Sequence, residues 1–249
     1  SYYFVGKDNV PFHAIIWPAM LLAYGDLNLP TNVPANQYIL IKGEKASASR
    51  GVGKTLNDYL DEWNPDSLRY ALASILPEQN DSEISEDEMI RRNNEELVAA
   101  WGNLVQRVFS QYINNFENLK FDFELNDVDR KIIDEANVCF EKTSELIEKV
   151  ELKSSLQSVM GYVNKINAYL NETEPWKVIK EDITRATAIL YTSLTAIEAC
   201  ASLFTPFMPT TSEIVKNAIE KNTNNNWSVN DIKKGAPLQD IGHLFKKFD

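Results

Sequence analysis

The chain has 249 residues, of which 44% are hydrophobic and 24% are charged, and its formal net charge is −11. At roughly 100–200 residues per domain, this length predicts one large or two modest globular domains. The acidic balance argues against a protein that grips nucleic-acid phosphates over its whole surface, because such surfaces are usually basic. It leaves room for specific contacts to unpaired RNA bases through a few stacking and hydrogen-bonding side chains.

The two cysteines, Cys139 and Cys200, lie in apolar helical patterns rather than at paired spacings. This placement argues against a disulfide framework and a zinc site, so we expect no metal and a reducing, cytoplasmic compartment. No segment approaches the roughly 18 apolar residues of a membrane span, so we expect no membrane partner. The sequence indicates no oligomeric state.

The N-terminal third has the mixed texture of an α/β domain, with many prolines and short apolar runs. Two of these runs, residues 2–5 and 38–41, predict strands. The first is expected to be buried, and a strand needs a neighbour to pair with. We therefore expect the natural protein to continue upstream of Ser1.

The first predicted strand ends in the motif Phe-Val-Gly-Lys-Asp at residues 4–8, and a helical pattern follows. Open α/β sheets contact nucleotides at such strand ends, where Asp8 is suited to accept a ribose hydroxyl. His13 and Trp17 are four residues apart, so both are expected on one side of the following helix. Their spacing alone favours packing roles for both side chains.

A polar loop bounded by glycines follows the second predicted strand, at residues 43–51. Backbone N–H groups in such a loop, together with Lys45 and Arg50, can cradle phosphates. The spacing differs from that of a Walker P-loop, and residues 51–55 lack the upstream glycine that this motif requires. From the residues alone, a solvated surface loop is the favoured interpretation.

Residues 85–221 have helical periodicity throughout, and Ser85 followed by Glu88 predicts a capping box at the start. The apolar spacing predicts five helices, over residues 97–116, 126–147, 152–170, 183–204 and 210–219. Pro206 and Pro209 separate the last two, because proline breaks a helix interior. Five amphipathic helices with short connections predict an antiparallel bundle.

The first bundle helix also has a polar face, which lies beside its apolar stripe. Asn103 and Arg107 are four residues apart and share a helix face, and Gln111 extends its polar edge. An amide beside a guanidinium offers donors and acceptors that match the edge of an unpaired base. Trp176 follows Pro175 at a helix start and is suited to stack on such a base. Spacing alone favours a solvated face and a packed tryptophan.

Taken together, these motifs resemble the class I aminoacyl-tRNA synthetases, and the methionyl-tRNA synthetase family in particular. Further matching motifs lie at residues 66–70, 101–104, 174–176 and 206–209, so the resemblance spans nearly the whole chain. It implies a mainly α fold, in which a helical anticodon-binding bundle follows the C-terminal remnant of a Rossmann-like α/β catalytic domain. The expected divisions are the catalytic remnant at 1–45, a signature loop and stem-contact connector at 46–84, the bundle at 85–221 and a tail packing back at 222–249.

The resemblance also implies a function and its residues. The full enzyme would activate methionine with ATP and Mg and attach it to tRNA(Met), whereas this fragment would bind no cofactor and retain anticodon recognition. The implied site residues are Gly6 and Asp8 for ATP or the adenylate, His13 and Trp17 for methionine, Lys45, Ser47 and Ser49 in the signature loop, and Asn103, Arg107 and Trp176 for the anticodon CAU.

Because of two departures from the family pattern, we expect that this chain does not catalyse adenylation. The family's signature loop reads Lys-Met-Ser-Lys-Ser, whereas residues 45–49 of this chain read Lys-Ala-Ser-Ala-Ser. Ala48 therefore replaces the second lysine of the motif, which is a cation aimed at the triphosphate. Such a loss typically costs on the order of 10²–10³ in rate. The His-Ile-Gly-His motif of the first catalytic half is also absent from these residues. Two alternatives remain open, a non-catalytic tRNA-binding paralogue and a helical protein-interaction module, and the acidic charge favours the second.

Overall fold

The computed structural model describes residues 1–41, 43–45, 53–225 and 227–248. Ser47 and Ser49 of the signature loop, with Ala46 and Ala48, lie outside the described residues. The described part of the chain is mainly helical, and its short strands all lie within the first 83 residues. This arrangement confirms the predicted fold class.

Two small sheets organise the N-terminal region. Strand β1 (Val5–Gly6) pairs in parallel with β2 (Ala35–Asn36), while β3 (Ile39–Ile41) lies between antiparallel β4 (Glu44–Lys45) and parallel β5 (Ser82–Glu83). The link from β1 to β2 contains a 3₁₀ turn (Lys7–Asn9), a π-helical turn (Phe12–Ile16) and helix α1 (Trp17–Tyr24). None of the described residues before position 46 is buried, so this region contributes nothing to the core.

A two-helix connector follows the sheets. Helix α2 (Leu56–Glu62) starts at a complete capping box between Thr55 and Asp58, and α3 (Pro65–Ser74) starts at an Asn64 cap. These caps satisfy N–H groups that a helix start leaves without partners. A second, small core lies between the connector and the helix that follows it. It consists of Trp63, Leu68, Ala71 and Ile75 of the connector and of Met89.

The helical region forms a bundle around one large core. Its helices are α4 (Glu86–Arg92), which continues through a π-helical stretch (Asn93–Gly102) into α5 (Asn103–Asn115), then α6 (Asp127–Glu148), α7 (Leu152–Thr173), α8 (Pro175–Val178), α9 (Ile183–Phe204) and α10 (Pro209–Ala218). The five predicted helices are confirmed, and α8 begins at Pro175, where the sequence predicts a helix start. In the core, the rings of Trp101 and Phe204 lie 5.3 Å apart, which joins the first bundle helix to α9.

The predicted capping box at Ser85 is only half formed. The Ser85 side chain accepts the Glu88 N–H at 3.5 Å, but the Glu88 carboxylate accepts hydrogen bonds from Arg91 and Arg92 instead of reaching back. A guanidinium is a stronger partner for a carboxylate than a backbone N–H, because the hydrogen bond joins two opposite charges. The expectation of a full capping box is therefore wrong.

Helix α9 corrects the expectation that no segment suits a membrane. It has 22 residues and is long and apolar enough to cross a membrane by length and composition. Its most apolar stretch is entirely buried, and it packs against α5, α6, α7, α8 and α10. Its composition is that of the central helix of a bundle, which is apolar all round because neighbours surround it.

A pair of polar contacts fastens the connector to the bundle. Buried Asp66 in α3 accepts the Thr211 N–H at 2.6 Å and the Thr211 hydroxyl at 2.8 Å, at the start of α10. Arg69, one turn later, donates to the carbonyls of Phe207 and Pro206, both at 2.8 Å. The carboxylate satisfies a donor that the start of α10 leaves open and complements its helix dipole. The connector is thereby held to the corner between α9 and α10.

We expect Asp66→Ala to lower the free energy of unfolding by about 1–3 kcal/mol, because it removes the acceptor of the buried Thr211 N–H and the nearer acceptor of its hydroxyl. Urea denaturation followed by circular dichroism measures the change. Asp61→Ala, which removes an exposed carboxylate from α2, is the matched control and should change little. Equal effects of the two substitutions would contradict a structural role for Asp66.

Candidate nucleic-acid interface

The structure brings His13 and Trp17 together at the N-terminal end of the chain. Their ring centroids lie 6.3 Å apart, and with Tyr3 and Phe12 they line a pocket of about 300 Å³. The Tyr3 ring meets Trp17 edge-on at 4.6 Å, and His13 Nδ1 lies 3.0 Å from the Asn9 carbonyl oxygen. The pocket is lined by aromatic rings and the imidazole of His13. That it binds methionine stays a prediction.

Asp8, predicted to contact ATP, lies directly after Gly6 and Lys7 and faces Lys45 of the signature motif. Its carboxylate accepts hydrogen bonds from the Tyr38 hydroxyl and from Lys45 Nζ, the latter at 3.0 Å. These two bonds lower the pKa of Asp8, with Tyr38 contributing most, and the same contact raises the pKa of Lys45. A ribose hydroxyl at Asp8 would therefore compete with both groups.

Within the bundle, the structure places Arg107 of α5 against Trp176 of α8. The guanidinium carbon lies 5.0 Å from the centroid of the indole ring, within the range of a cation–π contact. Arg107 Nη2 also donates to the Asn171 side-chain oxygen at 3.1 Å. In the described part of the chain, both partners of this cation are neutral, whereas Arg91 and Arg185 face carboxylates. The charge of Arg107 is therefore not neutralised locally.

A pocket of about 390 Å³ opens beside this contact. It is lined by Gln106, Arg107, Val108, Ser110, Gln111, Leu170, Pro175, Trp176 and Leu190. Its floor is aliphatic, and its rim carries the guanidinium, two amides and a hydroxyl. A flat aromatic ring that enters the pocket would meet the half-buried indole and the guanidinium together, with amides in reach of its edge.

Asn103 lies one turn before Arg107 in α5, and its side chain is exposed. It lines a second, smaller pocket of about 150 Å³ together with Gln106 and the tail residues His243 and Leu244. Gln106 borders both pockets, so the three predicted residues share one surface but occupy two adjoining depressions. Asn171, Gln106 and His243 escaped the sequence analysis. Gln106 lies directly before Arg107 in α5, whereas only the packing of α7 and of the tail against α5 brings Asn171 and His243 here.

The turn before α8 explains why Trp176 projects at this point. Helix α7 ends at Thr173, the next residue Glu174 adopts a left-handed conformation with φ of 41°, and Pro175 then begins α8. A left-handed residue is a common helix stop, and proline suits the first helical position. Glu174 also pairs with Lys177 at 2.7 Å. The chain therefore changes direction within one residue and presents the indole beside α5.

A buried carboxylate fixes both ends of the segment that carries Trp176. Asp129, in the first turn of α6, accepts the Tyr169 hydroxyl from α7 at 2.5 Å and two hydrogen bonds from Arg185 of α9, one of them at 2.9 Å. It also completes a capping box with Asn126. Tyr169 and Arg185 stand on either side of α8 in the chain. One side chain therefore joins the start of α6 to the end of α7 and the start of α9, the two helices that flank α8 in the chain.

The ionisation of Asp129 follows from these contacts. Burial by itself raises the pKa of a carboxyl group, because it disfavours the charged form. The hydrogen bonds from Arg185 and Tyr169 outweigh burial and hold the pKa of Asp129 below its ordinary value. The group is therefore a carboxylate at neutral pH, as an acceptor of three side-chain hydrogen bonds must be.

Comparison with known proteins decides the family. Residues 1–109 match the family model described as tRNA synthetases class I (M), and residues 122–249 match the anticodon binding domain of methionyl tRNA ligase. The chain belongs to the methionyl-tRNA synthetase family. Arg107 lies in the first matched region and Trp176 in the second, so the Arg107–Trp176 contact joins the two.

Curated relatives and solved structures agree with this assignment. The methionine–tRNA ligase of Roseiflexus castenholzii is 42% identical over 213 residues, which cover 86% of this chain and 36% of that protein. That of Corynebacterium glutamicum is 36% identical over 261 residues, covering 97% of this chain and 42% of that protein. The chain thus spans about four tenths of the length of these relatives.

Among solved structures, the free form of methionyl-tRNA synthetase from Mycobacterium tuberculosis shares the fold. It superposes with a TM-score of 0.87 at 22% identity, over 100% of this chain and 50% of that one. A structure of the same enzyme bound by methionyl-adenylate gives a TM-score of 0.87 as well.

We expect Asp129→Asn to lower the free energy of unfolding at pH 7 by about 3–5 kcal/mol, because it leaves Arg185 without its buried counter-charge. The folded pKa of Asp129 lies below the unfolded value of about 3.9, so its stabilisation is present above that value and is lost as the pH falls through the folded pKa. Asp129→Asn should therefore flatten the fall in stability below about pH 4. Denaturant titrations between neutral and acidic pH measure both effects, with exposed Asp134→Asn on the same helix as the control. An unchanged acid profile would argue against the role of Asp129.

Proposed function

We propose that this chain recognises the CAU anticodon of tRNA(Met). The observation that carries the proposal is the Arg107–Trp176 contact at 5.0 Å, beside an open pocket and one turn from Asn103. Trp176 lies in the region that matches the anticodon binding domain of methionyl tRNA ligase. An unpaired base would stack on the indole, and the guanidinium and amides would bind its edge.

The electrostatics support a small, specific RNA contact. The chain is acidic overall, with a net charge of −11, so non-specific phosphate binding would be weak. Arg107 keeps its charge available because its contacts are an amide and an aromatic ring. Recognition would therefore depend on a few bases rather than on the RNA backbone.

We further propose that the whole protein activates methionine with ATP and Mg in the cytoplasm and attaches it to tRNA(Met). Gly6, Asp8, His13 and Trp17 would contact the adenylate and methionine, and Lys45, Ser47 and Ser49 would belong to the signature loop. The N-terminal region exposes a group of large apolar side chains, among them Phe4, Phe12, Ile15, Met20 and Tyr24. Such a surface fits packing against further parts of a catalytic domain.

The domain divisions at 1–45, 46–84, 85–221 and 222–249 belong to the same proposal. The change from unburied strands to a buried helical core supports the division between the catalytic remnant and the bundle. The bonds of Asp66 and Arg69 hold helix α3 of the connector to the corner before α10, while β5 at the end of the connector pairs with β3 of the N-terminal region.

We expect Trp176→Ala to weaken binding of a CAU anticodon stem–loop by about 1–3 kcal/mol, the usual contribution of a base–aromatic stack. Arg107→Ala should weaken binding as well and reduce the preference for CAU over other anticodons. Fluorescence anisotropy with CAU and non-CAU stem–loops measures both effects.

The matched control is Lys142→Ala, which removes an exposed cation from α6 and should leave RNA affinity unchanged. Melting temperatures of all three variants should stay close to that of the parent, because Trp176 is only half-buried. A steep fall in melting temperature with intact affinity would make Trp176 a packing residue. The absence of any CAU-dependent binding by the parent chain would favour a helical protein-interaction module.

The catalytic side gives a separate prediction. We expect the chain to show no methionine-dependent exchange of pyrophosphate into ATP, because position 48 is alanine and the paired-histidine motif is absent from these residues. Ala48→Lys should not restore exchange here but should raise the rate in a full-length enzyme that carries the two alanines. Isotope exchange with labelled pyrophosphate measures both. Exchange above background by the parent chain would overturn the prediction.

A further inference from the structure

The last residues of the chain form a strap along the first bundle helix. Phe245 is buried and packs on Gly102, where an added Cβ would lie 3.5 Å from its ring. Asn93 donates to the Lys246 carbonyl at 2.9 Å, and Asn94 exchanges two hydrogen bonds with the backbone of Phe248. Three of the four residues 245–248 are therefore anchored, and the path of the segment is fixed.

His243 lies at the start of the strap, next to the surface that carries Asn103. Gly242 turns the chain with φ of 60°, and Asp240 accepts its N–H at 3.0 Å. The neighbours Ile241 and Leu244 pack against the core, while the His243 ring is exposed. The backbone of His243 is therefore held on both sides, and its imidazole is presented outward at little entropic cost for binding.

The His243 ring adjoins the surface already assigned to RNA. It lines the pocket of about 150 Å³ that also contains Asn103 and Gln106. Gln106 is at the same time part of the pocket beside Trp176. His243, Asn103 and the Trp176 pocket thus form one continuous surface, although His243 is far from the others in the chain.

The chemistry of the strap suits RNA. An imidazole stacks on unpaired bases and offers both a donor and an acceptor to a base edge. Two exposed lysines, Lys246 and Lys247, follow on the same segment of an otherwise acidic protein. Positive side chains next to a base-contacting ring favour the approach of the phosphate backbone.

We propose that His243 is a further specificity-determining residue, which contacts a base of the anticodon loop other than the one stacked on Trp176. The inference rests on the proposed function, because it needs the anticodon loop to occupy the neighbouring pocket. It assigns the C-terminal strap a direct part in RNA recognition in addition to its packing role.

The test uses the full chain and a tRNA(Met) anticodon stem–loop in fluorescence anisotropy. His243→Ala should raise Kd by about 5- to 150-fold, the range expected for the loss of one stacking contact. Gln239→Ala, which removes another exposed side chain of the same tail, should leave Kd unchanged. Melting temperatures should not differ, because the ring is exposed.

Abasic substitutions through the loop then identify the contacted base. Removing that base should abolish the effect of His243→Ala while preserving the effect of Trp176→Ala, which depends on a different position. Parent-like Kd for His243→Ala, with Trp176→Ala still impaired, would overturn the role of His243 and leave the proposed function intact. Unaltered binding in all variants would overturn both.

Discussion

The candidate site depends on one buried carboxylate, Asp129. It caps the start of α6 and binds a hydroxyl from the end of α7 and a guanidinium from the start of α9. The two partners, Tyr169 and Arg185, bracket the segment that carries Trp176. A short four-residue helix such as α8 has little stability of its own, since helix formation needs a costly first turn. Its position beside Arg107 is therefore set by the helices that Asp129 ties together.

Contacts between distant parts of the chain also join the connector to the bundle. Asp66 binds the start of α10, and Phe248 at the end of the strap packs on Trp63 with ring centroids 4.3 Å apart. The connector is thus held from two directions, by a helix start and by the tail. The anticodon surface lies at one end of the strap and the connector at the other, so the strap spans the distance between them.

The acidic charge of the chain is compatible with RNA recognition, because some of its arginines are paired with carboxylates whereas Arg107 contacts neutral groups. Arg91 and Arg92 form ion pairs with glutamates on their own helix, and Arg185 is committed to Asp129. The surface pairs of Arg91 and Arg92 contribute little stability, but they remove positive charge from the field that RNA meets. Arg107 differs because its described contacts are neutral. An acidic protein with such a cation beside an aromatic ring and an open pocket is suited to selective rather than general RNA binding.

The amino-acid sequence by itself determined the helices of the bundle, because amphipathic periodicity, proline stops and caps such as Asn126 are local properties. Its motifs also pointed to the family and to Asn103, Arg107 and Trp176. Tertiary structure decided the rest: the contact between Arg107 and Trp176, the three partners of Asp129, and the approach of His243 to Asn103. Burial also decided that α9 is a core helix, which its composition leaves open. The physical reason is that periodicity specifies which face of a helix is apolar, whereas the packing of all helices together specifies which distant polar groups meet.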